Sequence, residues 1–201
     1  TLRGAGRAFC AGADLKEEGT HSVSDTEAYL DEHRGSPIFD VLGNYSKPVI
    51  AAVNGFAIGV GCLMCCSVDF VLASSEASFR LPQTSLGILP AYGGTLRLAR
   101  LVGRGNALHM ALTGRAVDAE EARRIGLVVS AHPPEDLLST ARDTMSEIIT
   151  YPPQALRLAR ESLRFGYDAG LAATEQADLF RQMALYQTKG SAQQHQPWRE
   201  R

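Results

Sequence analysis

Two glycine-rich stretches hold the residues best suited to chemistry. The first is Gly6-Arg7-Ala8-Phe9-Cys10-Ala11-Gly12-Ala13-Asp14-Leu15-Lys16, and the second is Asn54-Gly55-Phe56-Ala57-Ile58-Gly59-Val60-Gly61-Cys62. Each ends where a helix is expected to begin. Glycine and alanine at such places let a ligand approach the main chain closely. The first N–H groups of a helix have no partner within it, and they favour a developing negative charge. Two such groups directed at one substrate oxygen would make an oxyanion hole. The same residues also suit a plainer role, as small side chains in tight turns. The fold, not the local sequence, decides whether the loops meet.

Other clusters point elsewhere. Cys62, Cys65 and Cys66 contain one Cys-x-x-Cys, but no second cysteine or histidine pair lies nearby. Packing in a buried helix is the better reading, and no metal site is expected. Gly55, Gly59 and Gly61 lack the spacing of a dinucleotide-binding loop. His109 falls in a helical pattern and reads as structural.

The elements that must position the loops can be read in outline. Pro48 to Val53 is a short continuous apolar run, as expected of a strand buried on both faces. Asn54-Gly55 turns the chain, Phe56 to Ile58 is apolar again, and Cys62 to Ser67 suits a short buried helix. Asp69 to Ala73 reads as the next strand, with a polar turn at Ser74-Ser75-Glu76. Strand, helix and strand in so short a span imply a crossover and a parallel sheet. Thr1 to Gly4 reads as the end of a strand, one that would need partners from upstream sequence.

The second half is helical in pattern. Leu96, Leu98, Leu101 and Val102 recur at helical spacing, and Asn106 to Leu112 gives a further helix stopped by Gly114. Asp118 is placed to cap the next helix, with Glu121 completing a capping box. Gly126 ends that helix before the strand-like Leu127-Val128-Val129. Two amphipathic helices follow, around Pro153 to Arg164 and Leu171 to Tyr186, and Pro153 suits a first helical turn. The polar tail from Gln193 to Arg201 carries Trp198 and has no assigned role. The domain reading is a core over residues 1–135 and a helical C-terminal region over 136–201.

Composition narrows the partners. A formal net charge of −2, with no basic run, argues against nucleic acid. Asn54, Gly55 and Asp69 interrupt the most apolar region, so no membrane span is expected. The opening residues do not read as a signal peptide. Three cysteines crowded into five residues do not make a disulfide framework, which favours a reducing, cytoplasm-like compartment.

Four phrases stand in order along the chain: GRAFCAGADLKE, KPVIAAVNGFAIGVGC, LGILPAYGGTLRLARLVG and ALTGRAVDAEEARRIGLV. Together they resemble the signature of the crotonase (enoyl-CoA hydratase/isomerase) superfamily, from about Arg3 to at least Val129. The resemblance implies a crotonase-like α/β fold, a ββα spiral with a helical C-terminal trimerisation region. It also implies further strands of the same sheet ahead of the first phrase. The expected activity is binding of an acyl-CoA thioester and stabilisation of its enolate. The expected partners are the acyl-CoA substrate and copies of the same chain, as a trimer or a dimer of trimers. No cofactor is implied beyond the coenzyme A of the substrate.

The same resemblance assigns roles residue by residue. Ala13 and Val60 fall where family members supply the two oxyanion-hole N–H groups. Valine at position 60 replaces a usual glycine, keeping the N–H and adding bulk. Arg7, Ala11, Asp14, Leu15 and Gly59 match positions lining the CoA site. Leu63 and Gln83 stand where hydratases of the family carry two catalytic glutamates. Leucine cannot handle a proton, and glutamine can hydrogen-bond but cannot act as a base near neutral pH. Tyr92 falls where some relatives carry a catalytic aspartate. It could donate a proton to an enolate or orient a leaving carboxylate, or it could simply pack with its hydroxyl toward water. Gln83 likewise suits either a catalytic place or a structural amide. Ordinary hydration is therefore not the expected reaction. Decarboxylation or thioester hydrolysis on the same scaffold, or a non-catalytic acyl-CoA-binding subunit, are the alternatives.

Overall fold

The computed structural model describes residues 1–18, 37–188 and 190. The polar tail from residue 193 onward lies outside them. The chain divides into two compact units, residues 1–45 with 49–142, and residues 46–48 with 143–201.

The first unit is built from eight short strands: β1 Leu2–Arg3, β2 Ala8–Cys10, β3 Ile50–Val53, β4 Phe56–Ile58, β5 Phe70–Ser74, β6 Ser78–Arg80, β7 Ala116–Asp118 and β8 Ser130–His132. They form two four-stranded sheets in the orders β1-β3-β5-β8 and β2-β4-β6-β7. All pairs are parallel except β6 with β7. From β1 to β6, successive strands alternate between the sheets, and a helix returns the chain after β2 and after β4. This is the expected ββα spiral, and its parallel pairing follows from those crossovers.

The strand run of apolar residues at β3 is buried on both faces, with Ile50, Ala51, Ala52 and Val53 each fully inaccessible. Val71, Leu72 and Ala73 of β5 lie beside it in register. Phe56–Ile58 does not continue that sheet but enters the second one, which the apolar run alone did not reveal. Helix Val60–Cys65 begins one residue before Gly61 and buries Cys62, Leu63 and Cys65. Helix Gly94–Thr113 is broken at Gly103, whose φ of 76° and ψ of 158° are not helical. That break matches the two separate helical patterns in the sequence.

Two expectations need correction. Leu127-Val128-Val129 is not a strand; pairing begins at Ser130. Leu127 and Val128 instead donate their N–H groups to the Ala122 carbonyl, at 2.9 and 3.2 Å, and are buried in the core. Their apolarity reflects packing beneath the helix end, not a sheet position. The capping box is half made. The Asp118 carboxylate accepts from the Glu121 N–H at 2.8 Å. The Glu121 carboxylate, however, takes both guanidinium nitrogens of Arg115. A bidentate ionic pair is the stronger use of that carboxylate. Helices Pro37–Asn44 and Leu137–Ile148 and strands β6 and β7 were not anticipated.

The second unit contains helices Pro153–Ala169 and Leu171–Tyr186, joined at Gly170 with φ 80°. Ser162 donates to Asp178 at 2.6 Å, and a Cβ on Gly166 would lie 3.0 Å from Thr174 Oγ1. Both pairs straddle Gly170 symmetrically, so the helices run antiparallel. Among the described residues no helix is long and apolar enough to cross a membrane.

Candidate active site

Strands β2, β4 and β6 are adjacent and parallel, so their C-terminal ends open on the same edge of the second sheet. Ligand sites of parallel sheets form at such edges. The chain leaving β2 is the loop 11–14. The chain leaving β4 is Gly59-Val60. The chain leaving β6 reaches Gln83 three residues after Arg80. Strand adjacency therefore brings to one place three segments far apart in sequence.

The contacts there are close. Gly12 has φ 101°, and a Cβ on it would sit 3.2 Å from the Ile58 carbonyl oxygen. Gly59 has φ 56° and ψ −114°, a conformation that side chains strongly disfavour. A Cβ on Gly59 would lie 3.4 Å from Gln83 Nε2 and 3.9 Å from Gly12 Cα. Gly59 is tied to the neighbouring strand by its N–H to the Arg80 carbonyl, at 2.9 Å. Its own carbonyl accepts from Leu63 N at 3.1 Å, closing the first helical turn. Val60, first in that helix, has no intrahelical acceptor for its N–H. A Cβ on Gly61 would be 2.4 Å from the Cys10 carbonyl oxygen, so the helix start rests directly on strand β2.

The remaining candidates spread outward. Ala11, Ala13, Asp14 and Leu15 are all exposed on the first loop. The Asp14 carboxylate accepts from the Lys16 N–H at 2.9 Å, at the start of helix Leu15–Glu18. Arg7 lies at the other end of β2 from Gly12. Its carbonyl is so close beneath Gly55 that a Cβ there would be 2.0 Å away. Leu63 is buried at 2% exposure, and its Cδ1 would be 2.6 Å from a Cβ on Gly94. Tyr92, two residues before Gly94, takes a left-handed φ of 56°, unusual for a side-chain-bearing residue. Its carbonyl accepts from Arg97 Nε at 3.1 Å, and its ring lies 5.8 Å from that of Phe39 at 48°.

Gln83 is the polar side chain that touches the meeting loops. Its Oε1 is buried and has no hydrogen-bond partner among the described residues. The thiols nearby offer no alternative chemistry. Burial pushes Cys65 well above the ordinary thiol range, and hydrogen bonding to Cys62 followed by burial does the same for Cys66. They stay protonated near neutral pH and are poor nucleophiles.

Sequence reasoning missed three supports. Asn54 accepts from the Gly4 N–H at 3.0 Å and donates to the Gly6 carbonyl at 2.9 Å, pinning the turn before β2 to the turn before β4. Its Asn-Gly signal spoke only of a turn. Gly94 leaves the room that Leu63 fills, and Phe39 backs Tyr92. A separate hollow of about 420 Å³ lies in the second unit, lined by Arg157, Leu158, Phe180 and Arg181. Its two arginines already pair with Glu161 and Asp178, each at 2.7 Å.

An alternating two-sheet spiral with backbone loops meeting at one sheet edge defines a crotonase-type fold. The enoyl-CoA hydratase/isomerase family model matches residues 1–200, and the chain belongs to that family. It is 42% identical over 166 residues to a short-chain-enoyl-CoA hydratase of Clostridium acetobutylicum. That match covers 82% of this chain and 63% of the relative, so the chain spans just under two thirds of its length. It is 40% identical over 184 residues to a crotonyl-CoA hydratase of Syntrophomonas wolfei, covering 89% and 69%. An enoyl-CoA hydratase structure from Bacillus anthracis aligns with a TM-score of 0.89 at 35% identity, covering 98% of this chain and 76% of that one.

Proposed function

We propose that this chain binds an acyl-CoA thioester and stabilises its enolate through the backbone N–H groups of Ala13 and Val60. The observation that supports this reading is the approach of Gly12 to Gly59 at the ends of adjacent parallel strands. Each glycine directly precedes one of the two donors. A carbonyl oxygen between them would gain two hydrogen bonds that strengthen as it becomes an oxyanion. Arg7, Ala11, Asp14, Leu15 and Gly59 are proposed to border the CoA site.

The acid–base groups differ from those of a hydratase. Leu63 is an apolar side chain packed on Gly94. Gln83 orients a group without accepting its proton. Tyr92 is the proposed proton donor to the enolate, or the group that orients a leaving carboxylate. Hydration of an enoyl thioester should therefore be poor. The missing carboxylate pair favours, as a second reading, a reaction that forms the enolate without a base, such as decarboxylation, or thioester hydrolysis. A binding subunit without turnover is the limiting case.

The proposed assembly is a trimer or a dimer of trimers. It is supported by the exposure of Leu171, Leu179, Met183 and Tyr186 on the last helix. A reducing, cytoplasm-like location is proposed with it, supported by four free cysteines.

Calorimetric titration of short and medium acyl-CoA thioesters into the full-length protein tests the reading. Binding that weakens on Gly59→Ala is expected, and no binding of any thioester would overturn it. Light scattering at micromolar concentration tests the assembly, and a monomer would refute it.

A further inference from the structure

Gln83 presents an unusual combination. Its amide nitrogen lies against the conformationally strained Gly59, and its amide oxygen is buried without a partner among the described residues. Buried acceptors are nearly always paired, because an unmade hydrogen bond costs more than a made one gains. An unpaired acceptor at the junction of two ligand-facing loops therefore reads as a place for a ligand's donor. The carboxamide is uncharged and does not titrate, and its oxygen can only accept. An apolar acyl chain would leave that oxygen unpaired. An anionic group would be repelled by it. An uncharged O–H or N–H would satisfy it.

We infer that Gln83 determines specificity: its free oxygen selects CoA thioesters whose acyl chain carries a neutral hydrogen-bond donor close to the thioester. The inference rests on the thioester reading above and adds the kind of acyl group to it. Leu63 supports it from the other side, since a buried leucine offers that donor no competing acceptor. No proton is transferred in this role. Gln83 reads the donor and leaves its proton in place.

The test compares 2-hydroxybutyryl-CoA, 3-hydroxybutyryl-CoA and butyryl-CoA by calorimetry on the full-length protein. These ligands differ only in the presence and position of one hydroxyl. At least one hydroxylated thioester should bind about tenfold more tightly than butyryl-CoA, the effect of one neutral hydrogen bond. Gln83→Leu should abolish that preference while retaining butyryl-CoA binding, and Gln83→Glu, which keeps an acceptor, should retain it. Gln83→Met serves if the leucine variant does not fold. Equal wild-type affinities would overturn the inference alone, because water would then be satisfying the amide oxygen. A preference that survives Gln83→Leu would also overturn it. Failure of every thioester to bind would remove the thioester reading, and this inference with it.

Discussion

Restoring glutamate at positions 63 and 83 together should raise the hydration of crotonyl-CoA above that of the wild type. Water is a weak nucleophile. Its addition needs a base to take its proton and an acid to protonate the α carbon. Positioned groups of this kind contribute about 10²- to 10⁴-fold each, although paired groups are not additive. The wild type should keep a residual rate above background from the backbone donors alone.

The structure makes the two substitutions unequal. Gln83→Glu changes little volume, beside a loop that already faces a polar atom. Leu63→Glu removes a side chain at 2% exposure packed on Gly94, forfeiting about 1.5–3 kcal/mol of apolar burial. It also places a carboxyl where no charge partner has been identified. Such a group takes up a proton, so its pKa in the folded state rises above about 4.3. The sign follows. A raised folded pKa means that the penalty is absent below the unfolded value and grows as pH rises towards the folded one. The double variant should therefore melt closest to wild type in acid and fall behind at neutral pH. Thermal melts across pH come first, then steady-state loss of enoyl absorbance with full-length protein. Efficient wild-type hydration that survives Tyr92→Phe would refute the reasoning, because another acid–base pair would have to exist.

Three further outcomes are expected. Gly61→Ala should destabilise more than Gly59→Ala in urea titration: the first drives a Cβ to 2.4 Å from the Cys10 backbone, the second meets Gln83 at 3.4 Å and incurs conformational strain of about 1–3 kcal/mol. Equal, wild-type-like midpoints would mean that the loops do not pack as described. Asp118→Ala should cost about 1 kcal/mol through loss of the cap to the Glu121 N–H, measured by the same titration, and an unchanged midpoint would refute that cap. Hydrogen bonding from Arg115 holds the Glu121 carboxyl below its usual range, so its contribution to stability is present above that range and lost as pH falls through the depressed value. Glu121→Gln should flatten that acid limb of stability against pH, and an unaltered limb would count against the pair.

What the sequence made legible depended on how local each cause was. The turn at Asn54-Gly55, the cap at Asp118 and the buried run at β3 are decided within a few residues, and all three are present. Strands of three residues are too short for any period to register, so β6 and β7 passed unnoticed although Phe79 and Val117 are fully buried. Leu127 and Val128 misled for the opposite reason. Their apolarity is real, but their N–H groups cap a helix end and do not join a sheet. The site shows the same division. Glycine at 12 and 59 marked two ligand-facing turns, because only glycine accepts their backbone angles readily. Their meeting depends on β2 and β4 being neighbours in a sheet assembled from alternate strands, with another sheet's strand between them in sequence. No spacing rule along the chain encodes that neighbourhood. It arises when β3 and β5 pair through four residues each and leave β4 to pair with β2 and β6. Gln83 then arrives beside Gly59 as a consequence of the third strand's position, carrying an acceptor whose missing partner only the folded chain makes evident.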